Sequence, residues 1–306
     1  MMRTDLDHLP ESKRRELERV VQILFEEFEA KTRNRSHQHL KLGRILKIVL
    51  FGSYARGDWV EDKVSGYASD YDLLVVVSHD DLTDVVEYWG EAEDTLMRAF
   101  LISREFTAPV NFIVHSLGDV NRQLGRGRPF FIDILRDGIA LYETAGHEFT
   151  KPKPLSPQEI LTEAKGHYGE WFTSAGEFFD NFQFNAKLAR NNNAAFQLHQ
   201  TTERLYHCLL LVLTLYSPKS HRLNFLRSQA ERLDPRLIEA WPRDTKASQR
   251  AFELLRRAYV DARYSPHFKI TDDELEWLGA RIVRLQQIVQ LVCEERLTAL
   301  GGDAGG

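Results

Sequence analysis

The sequence predicts an α+β protein, with a mixed sheet and helices in its first half and an all-helical bundle in its second half. Three observations predict this class. Short apolar runs typical of strands alternate with helical patterns in the first half of the 306 residues. A stretch with three prolines and few apolar residues follows, as in an exposed linker. Beyond it only long patterns of helical spacing occur, which favours a bundle.

The first half is predicted to contain two helices and four strands. Over residues 11–34, apolar residues recur at helical spacing among charges, and a second helical stretch covers 81–103. Apolar runs that are short enough to be strands are bounded by polar or turn-forming residues. They predict strands at 44–51, 71–78, 109–115 and 138–142.

The domain boundary is predicted where the composition changes, at HEFTKPKPLSPQ. We expect a first domain over 1–145, a linker over 146–156 and a helical bundle over 157–300. Breakers such as YSPKS and YSPH separate the helical patterns of the bundle. These patterns predict helices at 157–184, 187–216, 220–232, 247–264 and 271–298.

Composition limits the classes of function. The formal net charge of −5 excludes a generally basic protein covered with nucleic-acid contacts, although a local basic groove fits that balance. Cys208 and Cys293 each lie in an apolar run, where a free thiol behaves as a small hydrophobe, and this usage is typical of a reducing compartment. No run of about 18 uncharged apolar residues occurs. We therefore expect a soluble, cytoplasmic protein with no membrane partner.

Two carboxylates mark the candidate site. Asp70 and Asp72 begin the second predicted strand, and residues two apart on a strand project to the same face. Carboxylates placed in this way repel one another unless a cation neutralises them. A hard divalent ion that binds oxygen, Mg²⁺ or Mn²⁺, does so while also holding phosphate oxygens. The pair therefore predicts a metal site for phosphate chemistry.

A glycine-containing turn after the first predicted strand fits the same site. Gly52 allows backbone N–H groups to approach an anionic phosphate, and the hydroxyl of Ser53 adds a donor. Arg56 supplies positive charge toward a triphosphate or a second substrate. A DxD pair or a GS pair alone is common in loops, whereas both together, each at the correct end of a strand, predict a functional site.

Residues 45–78, which include ILKIVLFGSYARGDW and SDYDLLVVVS, resemble the signature of the minimal nucleotidyltransferases of the DNA polymerase β-like superfamily, relatives of kanamycin nucleotidyltransferases. The resemblance covers about 45–143. It implies transfer of a nucleoside monophosphate, commonly AMP from ATP, to a hydroxyl or phosphate acceptor. The acceptor stays open among a small molecule, an RNA and a protein.

The sequence departs from this family at one position. On the third predicted strand, PVNFIV has Asn111 where the family usually has a carboxylate. An amide coordinates a cation weakly and cannot accept a proton. Three alternatives follow: a catalytically impaired enzyme, a single-metal enzyme whose substrate brings its own base, and a fold kept for nucleotide binding. Glu105 replaces the missing carboxylate only if the strand begins earlier.

The second half resembles HEPN domains, which are helical bundles often fused to minimal nucleotidyltransferases. NNNAAFQLHQTTERLYH at 191–207 and AYVDARY at 258–264 carry the resemblance, which covers about 157–298. Some HEPN domains are ribonucleases with Arg, four to six residues, then His. Here Arg263 and His267 have three residues between them. A nucleotide-binding or dimerising bundle is the competing interpretation.

Two further features of the bundle favour structural roles. His199 and His207 lie eight positions apart with no evident carboxylate to complete a metal site, so we expect packing histidines. Two predicted helices have apolar residues on more than one face, which favours a homodimer through the bundle. The alternative is that this extra apolar face packs on the first domain.

The leading hypothesis for the function of the chain is a Mg²⁺-dependent nucleotidyltransferase that uses ATP or another NTP. The second hypothesis is a nucleotide-binding regulatory protein of toxin–antitoxin type whose HEPN domain acts on RNA.

Overall fold

The structure is a computed structural model that describes residues 2–33, 43–62 and 67–303. The chain divides into two compact units, one up to Pro154 and one from Leu155 onward, and each has its own buried apolar cluster. The predicted α+β class is confirmed. The predicted limits of the domains and the linker stay a prediction. In the part of the chain that is described, no helix has the length and apolar character needed to cross a membrane.

The first unit contains the strands that the apolar runs predicted, each within a residue or two of its expected limits. It also contains three short helices and a two-stranded hairpin that were not predicted. Its elements are α1 (Glu11–Thr32), β1 (Ile45–Phe51), α2 (Ser53–Arg56), β2 (Glu61–Asp62), β3 (Tyr67–Ala68), β4 (Tyr71–Val77), α3 (Gly90–Leu101), β5 (Val110–Ser116), α4 (Leu117–Gly125), α5 (Pro129–Asp137) and β6 (Ile139–Glu143).

The prediction of one helix over 81–103 is wrong for the first third of that range. That segment is a 3₁₀ turn at Asp80–Thr83 and a π-helical turn at Val85–Trp89, and the α-helix begins only at Gly90. Asp84 accounts for the change, because its side chain accepts a hydrogen bond from the Glu87 N–H and starts a new turn there. The indole N–H of Trp89 donates to the Leu82 carbonyl, which holds the two turns together.

The sheet has the order β5, β4, β1, β6. β4 pairs antiparallel with β1 and parallel with β5, so the end of β1 and the starts of β4 and β5 meet at one edge. In register, Asp72 lies opposite Phe51 on one side and opposite Asn111 on the other. This edge therefore collects the polar residues that the sequence singled out.

Helices cover the sheet in two layers. α1 and α3 pack on the face that carries Leu50, Leu73 and Val75, and together they form the buried cluster of the first unit. α4 and α5 contact β1, β4 and β5, and their buried residues lie outside that cluster, so they cover the other face. Because side chains alternate along β4, the apolar side of the strand meets α1 and α3 while Asp72 faces the α4 and α5 side.

A buried polar network ties α1 to the segments that carry the candidate site. The Glu16 carboxylate accepts a hydrogen bond from the Tyr71 hydroxyl at 3.0 Å. It also accepts from the Thr107 N–H at 3.0 Å and from the Thr107 hydroxyl at 2.8 Å. Tyr71 stands between Asp70 and Asp72, and Thr107 stands just before the strand of Asn111. Glu16 therefore fixes two of the three segments that meet at the site edge.

Lys13 extends this network to the third segment. Its ammonium, which is buried, donates to the Thr107 hydroxyl at 2.6 Å and to the Tyr54 hydroxyl at 3.3 Å, and it pairs with Glu61. Tyr54 belongs to the GSYARG turn. Burial raises the pKa of Tyr54 and of Tyr71, and nearby carboxylates raise both further, so both phenols stay protonated. We call Lys13, Glu16, Tyr54, Tyr71 and Thr107 the α1 polar network.

The second unit is a bundle of helices around one apolar cluster. The capping box of Ser156 and Glu159, with Pro157 at the first turn, starts its first helix. The predicted helices all occur, with limits shifted by a few residues. They are α6 (Pro157–Lys187), α7 (Asn191–Thr214), α8 (Leu223–Leu233), α9 (Lys246–Tyr264) and α10 (Asp272–Asp303), with a 3₁₀ turn at Pro235–Ala240.

Gly138 links α5 to β6, and its surroundings leave no room for a side chain. A Cβ added there would clash with the Ile134 carbonyl oxygen and lie 2.8 Å from Val49 Cγ1. We expect Gly138→Ala to lower the free energy of unfolding by about 1–3 kcal/mol, because backbone and a buried strand must shift. Gly125→Ala is the matched control, since nothing lies within 4 Å of its added Cβ. Urea unfolding followed by circular dichroism measures both, and equal stability of the two variants would contradict this packing.

The α1 polar network predicts energetic coupling between residues 55 positions apart. Glu16→Gln and Tyr71→Phe should each lower the free energy of unfolding by about 1–3 kcal/mol, because each leaves a buried polar group without its partner. The double variant should lose at least about 0.5 kcal/mol less than the sum. Tyr142→Phe is the control, since its hydroxyl binds only the exposed Thr144 hydroxyl among the described contacts. Additive losses would show that the two groups do not interact.

Candidate active site

The predicted site residues meet at one edge of the sheet. Asp72 lies on β4 in register with Asn111 on β5, and Asp70 precedes it by two positions on the same face. Gly52 and Ser53 follow Phe51, which pairs with Asp72 from the other side. Five of the predicted residues, from three separated segments, are therefore brought together.

The carboxylates are partly withdrawn from water. Asp72 is 3% exposed and Asp70 is half-buried. Two like charges so close raise the free energy of the ionised pair unless positive charge or hydrogen-bond donors compensate. The Asn111 amide supplies one such donor, because its Nδ2 donates to Asp70 Oδ2 at 2.7 Å. Asn111 thus stabilises a carboxylate of the pair directly.

The structure also shows which residue, Asn111 or Glu105, occupies the position of the family's third carboxylate. β5 begins at Val110, and the register of β4 and β5 places Asn111 opposite Asp72. Glu105 lies in the loop before the strand, is exposed, and pairs with Arg19 at 3.1 Å. Glu105 therefore does not replace the third carboxylate.

The turn after β1 has a backbone that favours glycine. Gly52 has φ 76° and Gly57 has φ 86°, in the left-handed half of the map that side chains disfavour. Between them the chain forms the single turn of α2, with Ser53 buried at its start. The first N–H groups of a helical turn have no acceptor within the turn. The turn therefore presents N–H groups at the sheet edge that carries the carboxylates.

Arg56 occupies a different position from the other predicted residues. Its guanidinium contacts Asp58, with 3.2 Å from Nε to Oδ2. Its charge also acts on Asp133 and Asp137, where it opposes the rise in the pKa of Asp133 that burial causes. No described contact joins Arg56 to Asp70 or Asp72. Its predicted role at the triphosphate stays a prediction.

The oxygen atoms at the sheet edge suit a hard divalent cation. Two carboxylates share one face and an amide stands beside them, which is the oxygen-rich set that Mg²⁺ and Mn²⁺ prefer. Over residues 2–33, 43–62 and 67–303, no group of three His, Cys, Asp or Glu side chains is arranged to hold a metal. A cation at this edge would therefore depend on Asp70 and Asp72, beside which the Asn111 amide lies.

The predicted pair in the bundle is not joined by a described contact. Arg263 lies in the last turn of α9, where its Nε donates to the Tyr259 carbonyl at 2.6 Å. His267 lies beyond the end of that helix, is exposed, and donates its backbone N–H to the Ser265 hydroxyl at 3.3 Å. Helix α9 ends between them, so the two side chains do not share a helical face.

Sequence reasoning missed the carboxylate that stands between the two buried histidines. Glu203 lies one helical turn from His199 and one from His207, with 3.7 Å and 4.0 Å between the nearest atoms, and its Oε1 is 3.0 Å from His221 Nδ1. The spacing H-x₃-E-x₃-H was a usable signal, because residues four apart on a helix share a face. Lys13 and Glu16 were also missed, although two charges three apart on an apolar helix face were visible in the sequence.

Comparison with known proteins identifies the family of each half of the chain. The family model of the nucleotidyltransferase domain matches residues 30–103, and that of the HEPN domain matches residues 168–292. A protein of Methanocaldococcus jannaschii that carries the provisional name protein adenylyltransferase is 38% identical over 76 residues. These cover 24% of this chain and 70% of the relative. The chain belongs to the nucleotidyltransferase family and carries a C-terminal HEPN domain.

Proposed function

We propose that this nucleotidyltransferase is Mg²⁺-dependent and transfers AMP from ATP to a hydroxyl or phosphate acceptor, with the HEPN domain helping to bind the acceptor or to form a dimer. The observation that carries the proposal is the meeting of Asp70, Asp72 and the Gly52 turn at one sheet edge. The name of the M. jannaschii relative supports AMP as the group transferred and a protein as one acceptor.

Each residue at the sheet edge has a distinct part in this proposal. Asp70 and Asp72 would hold the cation, and Gly52 and Ser53 would direct N–H and hydroxyl donors toward the triphosphate. Arg56 adds positive charge for the triphosphate or the acceptor. A bound Mg²⁺ would neutralise phosphate charge and orient the α-phosphate. Mn²⁺ fits the same donor set.

Asn111 limits how the acceptor loses its proton. An amide is no base, so the proton of an acceptor hydroxyl passes to water or to a base that the acceptor brings. The hydrogen bond from Asn111 to Asp70 also favours the second candidate function, a nucleotide-binding regulatory protein whose HEPN domain acts on RNA. That bond stabilises one carboxylate without supplying a base, as expected of a site that binds a nucleotide and does not transfer it.

The deciding experiment incubates the purified protein with α-labelled ATP, GTP, CTP or UTP and Mg²⁺. Transfer of label to the protein itself, to another protein, to RNA or to a small molecule supports the transferase and identifies its acceptor class. Retained nucleotide binding with no transfer to any of these supports the regulatory alternative. The proposed homodimer through the HEPN domain stays a prediction in both cases.

Replacing either carboxylate tests the site. Asp70→Asn and Asp72→Asn should each abolish Mg²⁺-dependent ATP binding and label transfer, because one protein ligand and one charge are lost. The fold should persist, since removing one of two repelling charges is neutral or mildly stabilising. Asp94→Asn, at an exposed position of α3, is the matched control. Wild-type binding of Mg²⁺ and ATP by either site variant would refute the assignment.

Asn111→Asp tests whether the third carboxylate can be restored. Without metal, the variant loses the donor to Asp70 and adds a third negative charge, so the free energy of unfolding should fall by about 1–3 kcal/mol. With Mg²⁺, a positioned base typically adds about 10²- to 10⁴-fold to the rate of transfer. Asn111→Ala removes the same hydrogen bond without supplying a base and should give no gain. An Asn111→Asp rate equal to or below wild type would mean that the site operates around the amide.

A further inference from the structure

A segment before the first helix binds the turn that follows β1. This segment, residues 3–8, is called the N-terminal arm below. The Arg3 guanidinium donates from Nη2 to the Ala55 carbonyl oxygen at 2.8 Å. The His8 Nε2 lies 2.7 Å from the Tyr54 carbonyl oxygen. Because a carbonyl oxygen only accepts, Nε2 carries the proton and donates it to this bond. The arm therefore supplies donors to two successive carbonyls of α2.

The turn needs these donors because it is too short to satisfy its own carbonyls. The last carbonyls of any helical segment have no partner within that segment. In α2 the carbonyls of Gly52 and Ser53 accept main-chain N–H groups at 3.2 Å and 2.8 Å. The carbonyls of Tyr54 and Ala55 come next, and the arm binds both. A single helical turn is unstable by itself, so its geometry depends on such outside contacts.

The arm is itself anchored to the first unit. The Arg3 carbonyl accepts the Ala140 N–H of β6 at 2.8 Å, which fixes the backbone of the arm beside the sheet. Leu6 packs against the buried cluster, and Leu9, just after the arm, belongs to that cluster and is 2% exposed. Asp5 lies 3.7 Å from the Arg3 guanidinium and gives it a second contact. The two donors therefore come from a segment that is fixed at both of its ends.

The opposite end of the turn carries the proposed contacts to the triphosphate. Gly52 and Ser53 follow Phe51, whose pairing with Asp72 fixes the start of the turn. The arm fixes the carbonyl end, so the turn is held from both sides. Donors that are already ordered bind an anion more tightly, because little ordering remains to be done on binding. The nucleotidyltransferase match begins only at residue 30, so the arm lies outside it.

We propose that Arg3 and His8 are positioning residues for the nucleotide: they hold the carbonyl end of the Gly52 turn and thereby set the affinity for the triphosphate. The inference rests on the proposed function, since it takes Gly52 and Ser53 as the triphosphate contacts. The two side chains act through the turn and do not touch the nucleotide.

The test measures binding of α,β-methylene-ATP with Mg²⁺ to the full chain by isothermal titration calorimetry, because the methylene bridge of this analogue prevents transfer. Arg3→Met removes the donor and keeps the length of the side chain, and His8→Phe keeps a ring against Trp59. Each should raise the dissociation constant about tenfold, the equivalent of one lost hydrogen bond. Arg3→Lys and His8→Gln keep a donor and should stay within about threefold of wild type.

Arg15→Met is the matched control, since this exposed arginine of α1 contacts only Glu11 among the described ion pairs. It should change the dissociation constant by less than about twofold. Arg3 and His8 are also exposed, so their variants should fold, which circular dichroism checks. Loss of affinity that Arg3→Lys and His8→Gln do not restore would indicate a general effect on the fold and would overturn the inference.

The same titrations separate the two proposals. If the wild-type chain does not bind the analogue, the proposed function fails and this inference fails with it. If the wild type binds and Asp72→Asn abolishes binding, the first site is supported. Binding by Arg3→Met and His8→Phe as tight as that of the wild type would then overturn the role of the arm alone.

Discussion

The pairing of β4 with two different neighbours is the constraint on which the first unit depends. Its antiparallel contact with β1 brings the Gly52 turn to the start of β4, and its parallel contact with β5 brings Asn111 beside Asp72. Side chains alternate along the strand, so the same seven residues serve the buried cluster on one face and carry a carboxylate on the other. A slip of one residue would exchange the two faces and would bury Asp72 against α1 and α3. The apolar face therefore fixes the position of the site.

In both units, buried carboxylates are compensated by partners from distant parts of the chain. In the first unit, Glu16 accepts three hydrogen bonds from Tyr71 and Thr107, while Lys13 supplies the positive charge nearby. In the second, Glu203 has the His221 imidazole. Such groups are strongly stabilising only when every partner is present, because a buried charge left alone costs several kcal/mol. Local order at each cluster therefore depends on the packing of whole helices.

The sequence predicted those features that short-range chemistry determines. The strands followed from apolar runs, the helical bundle from periodicity and breakers, and the candidate site from two carboxylates and a glycine turn at strand ends. The helices α4 and α5 were missed because nine residues each give too short a periodic pattern. The helix limits near Asp84 were wrong because one side-chain hydrogen bond restarts the turn. Glu16 was missed because its partner Thr107 is 91 positions away. The contact of Glu203 with His221, which is 18 positions away, likewise depends on the tertiary fold, whereas the spacing of Glu203 from His199 and His207 was visible in the sequence.

The position of α1 in the sequence has a practical consequence for the design of fragments of the protein. The nucleotidyltransferase match spans 30–103, whereas Lys13 and Glu16 lie before it and Asn111 lies after it. A fragment cut at those limits would retain Asp70, Asp72 and the Gly52 turn. It would lose Lys13 and Glu16, whose side chains contact Tyr71. Its β4 would also become an edge strand, with unpaired backbone groups that invite aggregation. Inactivity of such a fragment would thus report on a truncated scaffold and would say nothing about the chemistry of the intact chain.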